Sequence, residues 1–307
     1  PYFQRFYHQL PTIEALAACP EESLLKLWEG LGYYSRVRNM QKAAKQLLSE
    51  HQSNLPSSYE QLVKLPGIGP YTAGAIASIA FSLPVPAVDG NVLRVFSRLY
   101  EIQEDISFSA TQKKVFSLVE GLISTERPGD FNQALMDLGS RVCVVGTPNC
   151  DLCPLFSFCQ AYENETQESY PIKMGKAPPK TVEVVVGLFF HKNKVLIKKR
   201  TSRLLQGLWV FPLLENETDP FELFNSSFPS IQAASFTPSF HLSAEAHHIF
   251  THRVWQMQIY VCPCPSTFLT STSDLQQWVD LSSLHLLPMP TAMKAAKKLA
   301  ETYLSTN

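Results

Sequence analysis

The stretch Leu65-Pro66-Gly67-Ile68-Gly69-Pro70-Tyr71-Thr72-Ala73 decides how this chain is read. It lies between two helical patterns. Gly67 and Gly69 permit a tight turn with positive φ, and Pro70 suits the first position of the helix that follows. The N–H groups of such a turn, with the helix N-terminus behind them, can hold a phosphate without any basic side chain. A plain helix–helix turn is the other reading of the same residues. Upstream, Ser35 can cap a helix whose apolar positions Val37, Met40, Ala44, Leu47 and Leu48 recur three or four apart. A further helical run covers Ser23–Trp28. Downstream, small residues over Pro70–Phe81 predict a closely packed helix, and Val115, Leu118, Val119 and Leu122 make another apolar stripe.

The 307 residues suggest two domains. No run of eighteen apolar residues occurs, so no membrane-spanning helix is expected. The start, Pro1-Tyr2-Phe3-Gln4-Arg5-Phe6, has no initiator Met and lacks the basic-then-apolar order of a signal peptide; it reads as the middle of a longer chain. Net charge is −1, and residues 1–170 hold 13 Lys+Arg against 18 Asp+Glu. Any nucleic-acid reading must therefore come from local motifs, because the overall charge does not offer one. Near residue 170 the composition changes. Tyr170–Lys180 is rich in Pro and Lys and reads as a linker. Val182–Phe190 and Val195–Lys199 then read as strands about a turn at Lys192-Asn193, Ile249–Val261 as another strand, and Thr291–Tyr303 as a terminal helix. The expected organisation is an all-α domain over 1–170, a linker over 171–180 and an α/β domain over 181–307.

Four of the seven cysteines fall within seventeen residues, as Cys143, Cys150, Cys153 and Cys159. Loops this short can bring four thiolates around one metal or one cubane cluster. Tetrahedral zinc is the chemical competitor, although its usual two well-separated close pairs are absent. With no secretory signal, a disulfide scaffold is not expected.

The spacing C-x6-C-x2-C-x5-C resembles the [4Fe–4S] loop of the endonuclease III superfamily of DNA glycosylases. The resemblance, not the arithmetic, selects iron–sulfur, and it implies a cluster that braces a DNA-contacting loop and takes no part in catalysis. It also assigns the hairpin above as a helix–hairpin–helix, with Gly67 and Gly69 on the DNA backbone. Eighteen residues after Tyr71 comes Val88-Asp89-Gly90-Asn91-Val92-Leu93-Arg94, which resembles the superfamily's catalytic turn. Asp89 would face the sugar of the extruded nucleotide, where a carboxylate steadies developing oxocarbenium charge, with Asn91 beside it. A helix N-cap is the other role for Asp89. Bifunctional relatives carry a Schiff-base Lys where this chain has Tyr71; Tyr forms no such adduct, which implies a monofunctional enzyme. Core filling is the other reading of Tyr71.

Gly30-Leu31-Gly32-Tyr33-Tyr34-Ser35-Arg36-Val37-Arg38 resembles the loop of the MutY-type adenine glycosylases that probes the base opposite the target. There Leu31 and Tyr33 would wedge beside 8-oxoguanine, while Arg36 and Arg38 meet phosphates. Phe131–Gly139 also matches, and Gln133 would contact the flipped adenine; Asp137 could be a cap or an ion-pair partner. In the C-terminal half, Gly207–Pro212 resembles a Nudix-like domain. Its metal-binding box is missing, with Glu215, Glu217 and Asp219 present but no Arg-Glu-x-x-Glu-Glu. Phe250-Thr251-His252 resembles the Phe-Ser-His loop that contacts 8-oxoguanine, with Thr keeping the hydroxyl.

The resemblance implies a helix–hairpin–helix domain with a [4Fe–4S] loop followed by an α/β Nudix-like domain. It implies removal of adenine opposite 8-oxoguanine or guanine in duplex DNA, by a monomer in a bacterial cytoplasm. Members carry a catalytic Glu on a helix ahead of the segment matching Pro1, so this chain is expected to bind A:8-oxoguanine duplexes but to excise adenine poorly. The competing expectations are a damaged-DNA binder without catalysis and a pyrimidine-mismatch glycosylase.

Overall fold

The computed structural model describes residues 1–175, 177–229, 236–270 and 272–306. Lys176, inside the linker read at 171–180, lies outside the described residues. Helices come first: α1 (Tyr2–Gln9), α2 (Ile13–Ala18), α3 (Glu21–Leu27), α4 (Ser35–Glu50), α5 (Tyr59–Leu62), α6 (Pro70–Phe81), α7 (Gly90–Leu99), α8 (Ser109–Glu120), α9 (Pro128–Arg141) and α10 (Gln160–Glu163). The second half contains β1 (Lys180–His191), β2 (Lys194–Lys199), β3 (Trp209–Val210), β4 (Leu213–Glu215), α11 (Pro220–Ser227), β5 (His241–Ile249), β6 (Arg253–Pro263), β7 (Gln276–Val279), α12 (Leu281–Leu286) and α13 (Lys294–Thr306).

Contacts divide the chain into two units, Asn39–Lys176 and a second that joins Pro1–Arg38 to Ala177–Asn307. The grouping differs from a helical domain running from residue 1 to 170, and side chains explain it. Leu24, Leu25 and Val37 bury themselves with Leu208 of the C-terminal half. Carboxylates of α3 and the residues after it then bond the same half. Glu22 accepts from the Trp209 indole at 2.6 Å and from Lys199 Nζ at 3.2 Å, and Glu29 accepts from the Met289 backbone N–H at 3.0 Å.

In the helical unit, the apolar faces of α7, α8 and α9 share one core: Val92, Val95 and Phe96 pack with Val115, Val119 and Leu135. The helical period puts these residues on inward stripes. Gly139 of α9 allows the closest approach, since a Cβ there would sit 2.6 Å from Cβ of Asn91.

In the other unit a mixed sheet runs β3-β2-β1-β6-β5, with β4 also pairing β1 and β7 pairing β2. Strand β1 is parallel to β6. Successive side chains of a strand point to opposite faces, so β1 feeds two cores. Val184, Val186, Leu188 and Phe190 pack with Ala296, Ala300 and Leu304 of α13. Val185 and Phe189 pack with Leu223 and Phe224 of α11 and with Phe228 and Phe268. The strand read over Ile249–Val261 is in fact the end of β5, a three-residue tip at Phe250–His252, and β6. Polar residues in His241–Ile249 hide β5 from a hydrophobic pattern.

Candidate active site

The hairpin before α6 is built as the sequence predicts at one glycine only. Gly67 has φ +81°, and a Cβ there would also strike Cβ of Asn39 at 2.7 Å. Gly69 instead sits at φ −88° and ψ 178°, as the N-cap of α6 with Pro70 behind it. Its extended backbone needs no left-handed freedom. With no side chain capping α6, the N-terminal N–H groups stay available to an acceptor.

Asp89 caps α7. Its Oδ1 accepts from the backbone N–H groups of Asn91 (2.8 Å) and Val92 (2.9 Å), and its Oδ2 accepts from Asn91 Nδ2 at 2.9 Å. Both sequence readings of this residue therefore describe the same carboxylate: the cap fixes its position and partial burial leaves it reachable. Asn91 in turn accepts from Arg94 at 2.9 Å, and Arg94 donates to the carbonyl of Cys143 at 2.8 Å. Tyr71 is exposed, and its hydroxyl donates to Met136 Sδ at 3.2 Å. Its phenol titrates above the ordinary value, first through burial and then through the negative charge of Asp89.

Two residues here escaped the sequence reading. Asn132 is fully buried and holds the chain leading into Asp89. It accepts from Ala87 N–H at 3.1 Å and donates to Val85 O and Ser78 Oγ, both at 2.9 Å. A polar residue beside Gln133 on an otherwise mixed helix carries no such signal. Gln133 itself is exposed, and its amide donates to Gly129 O at 3.2 Å.

Arg98 is the second. Its guanidinium, also buried, donates to Cys143 Sγ (3.3 Å), Val144 O (2.8 Å), Gly146 O (2.9 Å), Gln167 O (2.7 Å) and Tyr170 O (3.1 Å). This one side chain gathers the loop that Cys143, Cys150, Cys153 and Cys159 share. Those four line a single pocket. Burial pushes the Cys150 thiol up, and charge on Cys143, Cys159 and Cys153 pushes it further; Cys159 is raised mainly by burial. Among the described residues no group of three or more His, Cys, Asp or Glu is arranged to hold a single metal ion.

The other sequence-predicted residues belong to the unit that contains the sheet. Leu31 and Tyr33 are exposed. Tyr33 sits at φ +44°, an uncommon conformation for an aromatic residue. Arg36 lies over its ring at 4.9 Å. The Tyr33 and Thr251 hydroxyls are 3.3 Å apart, so the 30–34 loop meets the β5–β6 tip. Phe250 anchors that tip edge-on against His248 and Trp255, at 4.6 and 5.0 Å between ring centres. Thr251 and His252 are exposed. Arg38, read as a phosphate contact, instead donates to Glu21 Oε1 at 2.6 Å and to Gln206 O. Its charge ties Arg38 to Glu21 of α3 and to the Gln206 carbonyl, and Arg36 is the exposed cation of this loop.

Residues 1–121 match the HhH-GPD superfamily of base excision DNA repair proteins, and residues 184–299 match the NUDIX domain. An adenine DNA glycosylase of Rattus norvegicus is 31% identical, over 98% of this chain and 68% of its own length. One from Buchnera aphidicola (Baizongia pistaciae) is 30% identical, over 95% of this chain and 81% of its own. The chain belongs to the adenine DNA glycosylase family. A trapped endonuclease III–DNA covalent intermediate is similar at 28% identity and TM-score 0.48, covering 53% of this chain and 76% of that one. The protein is a DNA glycosylase of base excision repair, with a helix–hairpin–helix domain ahead of a Nudix-fold domain.

Proposed function

We propose that the protein removes adenine paired with 8-oxoguanine or guanine, and that it is monofunctional. The observation that carries this reading is the Asp89 carboxylate, fixed by the α7 cap, with Tyr71 close enough for its phenol to feel that charge. As the C1′–N9 bond breaks, its electron pair leaves with the adenine and positive charge grows on the sugar. Asp89 steadies that charge; the departing adenine takes up a proton, and water adds to C1′ and gives one up, so the hydrolysis balances. Tyr71 has no amine to form an imine with the sugar, so the strand stays intact after base loss. Asn91 orients the carboxylate, and Gln133 offers an amide to the adenine edge. Gly67, Gly69 and the N-terminus of α6 take a phosphate through backbone N–H groups. Leu31, Tyr33, Phe250, Thr251 and His252 read the opposite base, and Arg36 meets the backbone.

The cysteine loop fits a [4Fe–4S] cluster. Four thiolates within seventeen residues are a soft donor set of the kind that holds iron–sulfur clusters. Cys143, Cys150, Cys153 and Cys159, which line one pocket, would hold the cluster through their thiolates. When bound it supplies a covalent brace for the loop. Arg98 and Arg94 join that brace to α7, at whose N-terminus Asp89 sits.

A single-turnover assay on a duplex with one A:8-oxoguanine pair tests the reading. Adenine should be released, slowly in keeping with the poor excision expected from the sequence, and the strand should break only after hot alkali. Release of thymine from a mismatch, or strand scission without alkali, would overturn it.

A further inference from the structure

Glu215 is one of the acids that follow Pro212 without forming a metal-binding box, and neither the hydrolysis nor the phosphate contacts call on it. It ends β4, level with Val184 of β1. Its two oxygens are taken by two guanidiniums. Oε1 accepts from Arg200 and Oε2 from Arg253, each at 2.8 Å. The side chains of Arg200 and Glu215 are 14% and 21% exposed, that of Arg253 41%. One carboxylate thus balances two cations in a half-buried setting, where screening by water is weak.

Both arginines lead to the β5–β6 tip. Arg253 is the first residue of β6, and its carbonyl accepts from the Phe250 N–H at 2.8 Å, closing the turn. Its side chain is tied to Glu215 and its backbone to Phe250. Arg200 lies over the Trp255 ring at 5.7 Å, and Trp255 meets Phe250 edge-on. Phe250 is therefore reached from Glu215 by two routes, one through backbone and one through an aromatic face.

We propose that Glu215 is a positioning residue for recognition of the opposite base. Through Arg253 and Arg200 it sets the Phe250-Thr251-His252 tip in the geometry that admits 8-oxoguanine. The inference rests on the reading of that tip as the part that recognises the lesion. Without the carboxylate, two guanidiniums face each other with no counter-ion, and the turn that Arg253 closes shifts.

The test is equilibrium binding by the full chain to duplexes carrying a non-hydrolysable 2′-fluoro-adenosine opposite 8-oxoguanine or opposite guanine. Glu215→Gln should lower the preference for 8-oxoguanine by about tenfold, the ratio that roughly 1.4 kcal/mol produces. Affinity for the guanine duplex should stay at the wild-type value, and Glu215→Asp should restore part of the preference. An unchanged preference in Glu215→Gln, or equal weakening on both duplexes, overturns the proposal. Should Glu215→Gln fail to fold, Arg253→Gln breaks the same bond from the other side and must give the same loss. Thr251→Ala separates the two levels. If Thr251→Ala keeps the full preference, the tip does not read the lesion. If it loses the preference and Glu215→Gln does not, the tip reads the lesion and the Glu215 brace alone is wrong.

Discussion

The hydroxyls of Tyr33 and Thr251 lie 3.3 Å apart across 218 positions of sequence. Two segments with separate sequence signals, a Gly-bounded loop and the turn between two strands, are thereby made one surface. Both side chains are exposed, so the bond adds little to stability and its effect belongs to binding. Tyr33→Phe and Thr251→Ala should each weaken binding to A:8-oxoguanine duplexes, with a coupling of about 0.5 kcal/mol in a double-mutant cycle. Thr251→Ser keeps the hydroxyl and should bind as the parent does. Strictly additive losses would show that the two hydroxyls act apart.

Asp89 has two jobs that different substitutions separate. Asn is as good an N-cap as Asp, whereas Ala costs about 1 kcal/mol at such a position. Asp89→Asn should therefore melt near the parent temperature, bind duplex DNA and release no adenine. Asp89→Ala should be inactive and also less stable. A fall in melting temperature for Asp89→Asn as large as that for Asp89→Ala would show that charge, not capping, holds the turn.

Arg98 donates to four backbone carbonyls and one thiol from within the protein. Replacing it with Met leaves those part-buried carbonyls without that donor, at a cost of about 3 kcal/mol. Arg98→Met should lose iron on purification and show a lowered unfolding temperature. Cys153→Ser should lose iron and weaken DNA binding, with the sheet unit folded by circular dichroism. Zinc in place of iron in the parent protein would contradict the assignment of a cluster.

What the sequence makes legible is what lies close together along the chain. The cysteines, the hairpin at Gly67 and the turn at Asp89 are contiguous motifs, so their residue types and spacing carry the chemistry directly. The strands β1 and β2 are legible through β-branched runs about Lys192-Asn193. Strand β5 is not, because half-exposed His and Glu residues interrupt its apolar face. Contacts between distant residues leave no local trace: Glu22 on Trp209, Asn132 on Ala87, and Arg98 on the cysteine loop each join segments 45 or more residues apart. Arg38 shows the converse. A basic residue in a DNA-probing loop suggests a phosphate, and only the structure shows Glu21 and Gln206 occupying it.

Asp280 caps α12 through the Ser283 N–H and the Ser282 hydroxyl, both at 2.8 Å. Those bonds, the backbone one foremost, hold its carboxyl at about 2, below the ordinary 3.8. The carboxylate's contribution to stability is complete above pH 4 or so. It is lost as pH falls from there through about 2. Asp280→Asn should flatten this acid limb in a pH series of thermal melts and leave the neutral region close to the parent. An unchanged acid limb would show that the cap does not titrate in this range.

The proposed function ties adenine recognition in this chain to the base opposite it. Binding measured side by side on duplexes with a 2′-fluoro-adenosine opposite 8-oxoguanine or opposite thymine tests it most directly. Affinity for the 8-oxoguanine duplex should be at least about tenfold higher, a preference of roughly 1.4 kcal/mol, and that preference should be lost in the Thr251→Ala variant. Equal affinity for the two duplexes would contradict it.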